Sequence, residues 1–170
     1  MAYSYDFDLA GQTYRLWIAN RHFYVLEASG VLPIRTWPAW CEHCQKFTAA
    51  ELMLPITEEA KELSEIEYFA ERPGLIPPDR YVPIRQLPEL RLWKTWRETR
   101  RSPAKCLSCG SMDITSIWPV PDVEIPGRGK CVGRFTGWAE VSGGPPDGYY
   151  SPEGDPVRFT LARRRSGRAT

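Results

Sequence analysis

The sequence predicts an α+β fold, an antiparallel β-sheet interrupted by a helical insertion, and three observations carry that prediction. Residues 3 to 9 alternate apolar with polar side chains, the period of a half-buried strand, and aromatic and β-branched runs continue to residue 35. Residues 56 to 101 change to apolar spacings of three and four, the period of helices. The 16 prolines and 13 glycines among 170 residues place much of the backbone in turns and short connections, which disfavours a helical bundle. A chain of this length suffices for one domain that buries roughly two-thirds of the surface its unfolded form exposes. Residues 1 to 162 are assigned to that domain, with the helical insertion at about 51 to 105, and the basic tail 163 to 170, "RRRSGRAT", is expected to be flexible.

Taken in order, Tyr3, Tyr5, Phe7 and Leu9 alternate with Ser4, Asp6 and Asp8, and "LAGQT" turns the chain. "YRLWIA" and "HFYVLE" follow, separated by Asn20 and Arg21, and "EASG" leads into "VLPIR". These segments predict an antiparallel meander of three or four strands. Ile56, Ala60, Leu63, Ile66 and Ala70 then recur at helical spacing after an N-cap candidate, Thr57, and before a Pro-Gly stop, so residues 57 to 72 are expected to be a helix. Pro73, Pro77, Pro78, Pro83 and Pro88 hold residues 73 to 88 extended, and Pro88 fits the first turn of a second helix over 88 to 101. Its Leu90, Leu92, Trp93 and Trp96 share one side, with Arg91, Lys94 and Arg101 on the adjoining edge. The two helices are expected to pack through Leu63, Ile66 and Ala70 against Leu90, Trp93 and Trp96. Further strands are expected at "ITSIWPV", "CVGRFTGWAEV" and "VRFTLA", whereas "SGGPPDGYYSPEGDP" has the composition of a disordered segment.

The most specific signal is a pair of pairs. "PAWCEHCQKF" places Cys41 and Cys44 two residues apart, and "SPAKCLSCGSMDI" repeats the spacing in Cys106 and Cys109 after 61 intervening residues. A two-residue gap lets both thiolates converge on one ion while the intervening backbone N–H groups point at sulfur, and two such gaps supply the four ligands of tetrahedral zinc at about 2.3 Å each. Gly110 can take the left-handed conformation that the second turn needs. At these residues the sequence resembles the zinc-ribbon class, whose C-x-x-C knuckles are presented by short β-hairpins. The resemblance implies one structural zinc ion held by Cys41, Cys44, Cys106 and Cys109, which staples the sheet, with residues 45 to 105 inserted between the knuckles. It covers the knuckles alone, and departs from the pattern at Gln45, where a glycine is common, and in the length of the insertion.

Two alternatives stand beside zinc: a redox C-x-x-C, which would need a βαβ setting that the preceding meander does not supply, and four unliganded thiols. His43, between ligands, could replace one of them, but is expected to be solvated. Cys131 in "GRGKCVGRF" is expected to be a small half-buried side chain, with a substitute ligand or a reactive thiol as the alternative. His22 is expected to be structural. A closed set of four cysteines marks a structural site, since catalytic zinc keeps a position for water. H-E-x-x-H, G-x-S-x-G, Walker and G-x-G-x-x-G patterns are all absent, "GRGKCVG" lacks P-loop spacing, and the chain is read as not an enzyme.

Charge directs the remaining expectations. A net charge of +1 gives no global attraction to nucleic acid or membrane. Locally, residues 51 to 71 hold seven acids against one lysine, and residues 80 to 105 hold eight basic residues against two glutamates. The start "MAYSYDFDLAG" has acids where a signal peptide needs a basic start and an apolar run, and no stretch approaches 18 apolar residues, so the chain is read as soluble and cytoplasmic. The expected function is a non-catalytic adaptor that binds a protein partner through exposed aromatics, with a small-molecule substrate disfavoured. The alternative is a nucleic-acid-binding protein using Arg91, Lys94, Arg97, Arg100, Arg101 and Lys105 of the segment 88 to 105, with its tryptophans as stacking partners. The acids of the first helix, Glu58, Glu62 and Glu65 among them, could instead neutralise that stripe from within.

Overall fold

The computed structural model describes residues 2–19, 21–26, 30–72, 87–117, 122–140 and 145–157. The first strands are β1 (Ala2–Leu9), β2 (Gln12–Ala19), β3 (His22–Leu26), β4 (Gly30–Pro33), β5 (Thr36–Cys41) and β6 (Lys46–Glu51). Helices α1 (Ile56–Glu71) and α2 (Leu87–Thr99) follow, and then β7 (Ile114–Ser116), β8 (Asp122–Ile125), β9 (Gly129–Ala139), β10 (Gly148–Tyr150) and β11 (Pro156–Val157). The fold is therefore α+β and sheet-rich, with both helices between the cysteine pairs.

The strands form three sheets, in the orders β2-β1-β9-β8, β11-β10-β3-β4 and β6-β5-β7. The expected meander is corrected here. β1 and β2 form a hairpin closed by Ala10 and Gly11, both at positive φ (50° and 78°), the backbone of a two-residue turn. β3 and β4 form a second hairpin in a different sheet, because β3 takes β10 as its other neighbour, in parallel, with Tyr24 opposite Tyr150. Among the described residues the sheets are thus antiparallel apart from this pairing. It also corrects the expectation of disorder for "SGGPPDGYYSPEGDP", whose described part, 145–156, carries β10 and the first residue of β11. Tyr150 supplies the anchor that the Gly/Pro count concealed: its ring is buried and its hydroxyl donates to the Leu107 carbonyl at 2.6 Å.

Two apolar clusters form the core. Phe7, Leu9, Trp40, Phe47, Ile117, Ile125 and Cys131 join the first sheet to the third, with the Phe7 and Phe47 rings stacked at 4.6 Å. Gly133 makes that approach possible, since a Cβ there would lie 3.0 Å from Ile117 and 3.3 Å from the Phe7 ring. The second cluster, with Tyr24, Leu32, Ile34, Leu107 and Tyr150, seats Trp93 and Trp96 of α2 on the second sheet.

Both helices fall within a residue or two of their expected bounds. Thr57 is not the N-cap of α1; Pro55 holds that position without a side-chain bond, and its carbonyl accepts from the N–H groups of Glu58 and Glu59. α2 turns its tryptophans mainly to the sheet, where Trp96 stacks on Tyr24 at 4.3 Å and donates from Nε1 to the Pro152 carbonyl. The buried Leu63 of α1 and Trp93 of α2 line one small cavity with Arg35, Glu59, Glu62 and Lys94. The side chains of Ala70 and Leu90, also named for the helix contact, lie outside the described residues, as do the extended segment expected over 73–86 and the tail 163–170.

Candidate metal centre

Cys41 is the last residue of β5, and Cys44 sits in the turn that leads into β6. Cys106 and Cys109 belong to a second turn laid along the outer edge of β6: Cys106 bridges Ala50, the Leu107 N–H donates to the Ala49 carbonyl, and the Glu51 N–H donates to the Lys105 carbonyl. Strand pairing therefore places the two turns side by side although 61 residues separate them. The four sulfurs lie within 4.8 Å of one another, with Cys41 to Cys109 at 3.7 Å and Cys44 to Cys106 at 3.9 Å. A tetrahedral ion with metal–sulfur bonds of about 2.3 Å requires sulfurs about 3.8 Å apart. The four cysteines are positioned to bind a metal ion.

The two turns share one geometry. Each closes with an N–H to C=O bond of 2.8 Å, from Gln45 to Cys41 and from Gly110 to Cys106, and each closing residue has positive φ, 53° and 77°. Gln45 thus takes the left-handed conformation that a glycine commonly supplies, and its side-chain amide donates to the Glu42 carbonyl beneath it. Gly110 has less freedom, since a Cβ there would meet Pro156 at 3.3 Å. Backbone N–H groups point at sulfur in both turns, from Cys44 to Cys41 and from Ser108 to Cys106, each at 3.4 Å.

Burial pushes the Cys41 and Cys44 thiols above the ordinary thiol range, and the neighbouring sulfurs push them further. Burial also acts on Cys109, but there the Ser111 N–H and the surrounding thiols outweigh it and the net direction is down. Four thiolates at this separation need a cation among them. Cys131 lies in the first core cluster and is not among the four; burial raises its thiol to about 11. His43 is exposed in the turn between Cys41 and Cys44. His22 is hydrogen-bonded through Nδ1 to the Tyr150 hydroxyl at 3.2 Å, and burial holds its pKa below the usual histidine value.

The basic residues of the segment 88 to 105 do not form one face. Arg91 pairs with Glu67 at 2.8 Å, Arg97 with Glu59 at 3.4 Å, and Lys105 with Asp155 at 2.5 Å. Arg100 is fully buried against Glu51, while Lys94 and Arg101 are exposed. Of the acids named as internal partners, Glu62 holds Arg35, and Glu58 is exposed in the first turn of α1.

The residues that sequence reasoning missed surround Arg100. Its guanidinium donates to both oxygens of Glu51, at 2.8 and 2.6 Å, to the Tyr24 hydroxyl at 3.0 Å, and to the carbonyls of Ser102 and Pro103. Glu51 also accepts from the Tyr24 hydroxyl at 2.6 Å and from the Lys105 N–H at 2.7 Å. This network ties β3, β6, the end of α2 and the lead-in to Cys106. Its signal lay in the helix phase: Arg100 follows Trp96 by four residues and Trp93 by seven, on the face that is buried. Compared with family models, curated proteins and solved structures, the chain matches none, so its site is read from its own geometry.

Proposed function

We propose that this chain is a non-catalytic interaction module that binds a protein partner and whose fold is held by one structural zinc ion on Cys41, Cys44, Cys106 and Cys109. The closed set of four sulfurs carries the reading. Four thiolates in a tetrahedron suit a soft, borderline cation and leave no coordination position for water or substrate. Zinc bound there supplies a cross-link between strands, not a Lewis acid for chemistry.

Support for a protein partner comes from the first sheet. Phe135 and Trp138 are 46% and 62% exposed, and they stand opposite Tyr5 and Tyr3 across the β1–β9 pairing. The Phe135 ring lies 5.7 Å from Tyr5 and 6.4 Å from Tyr3, so the four aromatics form one surface of the kind enriched at interaction hot spots. The carboxylate partners of Arg91, Arg97, Arg100 and Lys105 favour this reading over nucleic-acid binding, for which Lys94 and Arg101 remain. Among the described residues no helix is long and apolar enough to cross a membrane.

The test combines metal analysis of the purified chain with titration of labelled single-stranded DNA and RNA at low salt. One zinc per chain and no salt-sensitive binding are expected. Binding that weakens steeply with salt and disappears in a Lys94→Ala, Arg101→Ala variant would transfer the function to nucleic acid.

A further inference from the structure

We infer that β2 is a dimerisation strand: its outer edge pairs antiparallel with the same strand of a second copy of this chain, joining two four-stranded sheets into one. The inference stands on backbone geometry and goes beyond the function proposed above. The β1–β2 hairpin closes with Leu9 opposite Gln12. Gln12, Tyr14, Leu16 and Ile18 therefore turn their N–H and C=O groups toward β1, and Thr13, Arg15, Trp17 and Ala19 turn theirs away. β2 is the end strand of its sheet, and the backbone groups of those four residues have no partner among the described residues. Thr13, Arg15 and Trp17 are exposed, Trp17 by 57%.

Among the described residues the other end strands are short or covered, and the length of β9 beyond its pairing with β8, residues 133–139, is broken by a bulge at Thr136. β8, at the far end of the same sheet, has four residues and carries Asp122 and Glu124. β4 has four and ends in Pro33, β11 has two, and β7 has three. The outer edge of β6 is taken by the second cysteine turn. β2 alone among the described end strands runs eight residues with no proline or lysine. A long edge free of proline and lysine is what soluble chains avoid unless a strand is to be added there.

The sequence of β2 selects a second copy as that strand. With Leu16 opposite Leu16 about a two-fold axis, Arg15 of one copy faces Trp17 of the other, twice, and Thr13 faces Ala19. Those are the residues whose backbone groups point outward, so the register forms about eight hydrogen bonds. It sets each guanidinium beside the opposite indole, where a cation and an aromatic face attract. Asp6 already holds Arg15 from the neighbouring strand at 2.7 Å. On the inner face Tyr14, whose ring lies 5.1 Å from Phe47 in its own chain, faces Ile18 of the other copy. A shift of one residue in each strand either opposes Arg15 to Arg15 or leaves Arg15 against Ala19 with fewer residues paired.

Light scattering of the full chain over a wide concentration range is expected to give twice 19.5 kDa. Trp17→Lys, an exposed change that sets lysine against arginine, should raise the dissociation constant at least about tenfold with the melting temperature of the monomer unchanged. Register is read separately by mild oxidation: an equal mixture of Arg15→Cys and Trp17→Cys chains should form a cross-linked dimer, and neither variant should cross-link to itself. A monomer at every concentration overturns the inference and leaves the edge for a strand of another protein. A dimer that Trp17→Lys does not weaken, or that cross-links Arg15→Cys to itself, overturns it equally.

Discussion

Arg100 shows how much one side chain decides in this chain. Its guanidinium and the Glu51 carboxylate are both 0% exposed, so two charges are removed from water and stabilised only by each other and by neutral donors and acceptors. The arrangement tolerates little change nearby: Gly154 has φ of 81°, and a Cβ there would lie 2.5 Å from Glu51 and 2.6 Å from Arg100. Losing one charge leaves the other buried and unpaired, at a cost of about 3 to 5 kcal/mol, whereas replacing both with apolar side chains is often close to neutral. Arg100→Leu is therefore expected to destabilise by that amount in urea unfolding, and Arg100→Leu with Glu51→Leu to recover much of it. A double variant no more stable than the single would show that the bonds to Tyr24, Ser102 and Pro103 matter more than the charge pair. His22 gives a second residue-scale prediction. Burial lowers its folded pKa below the unfolded value of about 6.5, so the unfolded state takes up the proton first. Its contribution is fully present above about pH 6.5 and is lost as pH falls from there toward the folded pKa. Over that window His22→Gln should show a flatter decline of stability than the parent, and parallel curves would remove His22 from the account.

At the scale of elements, helices were legible and strand partners were not. The three- and four-residue spacing of Leu63 and Ile66, and of Trp93 and Trp96, is a local property of the sequence, and both helices formed where it placed them. The pairing of β3 with β10 joins Tyr24 to Tyr150 across more than a hundred residues, and alternation within a strand says nothing about its neighbour. Similarly, the buried face of α2 was legible, but its use against the sheet was not. Trp93 is 4% exposed, lies 5.2 Å beneath the Arg35 guanidinium, and donates to the Pro33 carbonyl at 3.2 Å. Arg91 is exposed, and its pair with Glu67 is screened by solvent. Burial should dominate: Trp93→Ala is expected to cost about 3 kcal/mol or more, and Arg91→Ala a few tenths at most. Equal effects from the two, measured by the same denaturation, would mean that charge holds α2 in place.

For the whole molecule, the cysteine pattern was the long-range contact that the sequence disclosed, because metal-ligand spacing is specific where strand pairing is not. Gln45 stands where a glycine is common, and its φ of 53° shows a backbone requirement met by a residue whose side chain bonds the same turn. What spacing could not show is that the two cysteine turns are also joined by backbone pairing. The second turn is zipped to β6 by the Cys106–Ala50 bridge and anchored through the Lys105 N–H to Glu51. Cys106→Ser should then remove the metal without dismantling the first sheet, whose core cluster contains none of the four cysteines. Closing a loop of 61 residues would give a metal bound there a considerable entropic contribution, and a loss of about 3 to 5 kcal/mol in a chain of this size lowers the melting temperature by roughly 10 °C or more. Amide exchange should rise first around residues 105 to 111 and last in β1 and β9. Cys131→Ser, within that first cluster, should keep full metal content while losing packing. Metal lost from the Cys131 variant but retained by the Cys106 variant would show that the ligands are other than these four, and an unchanged melting temperature in Cys106→Ser would show that strand pairing alone sustains the fold.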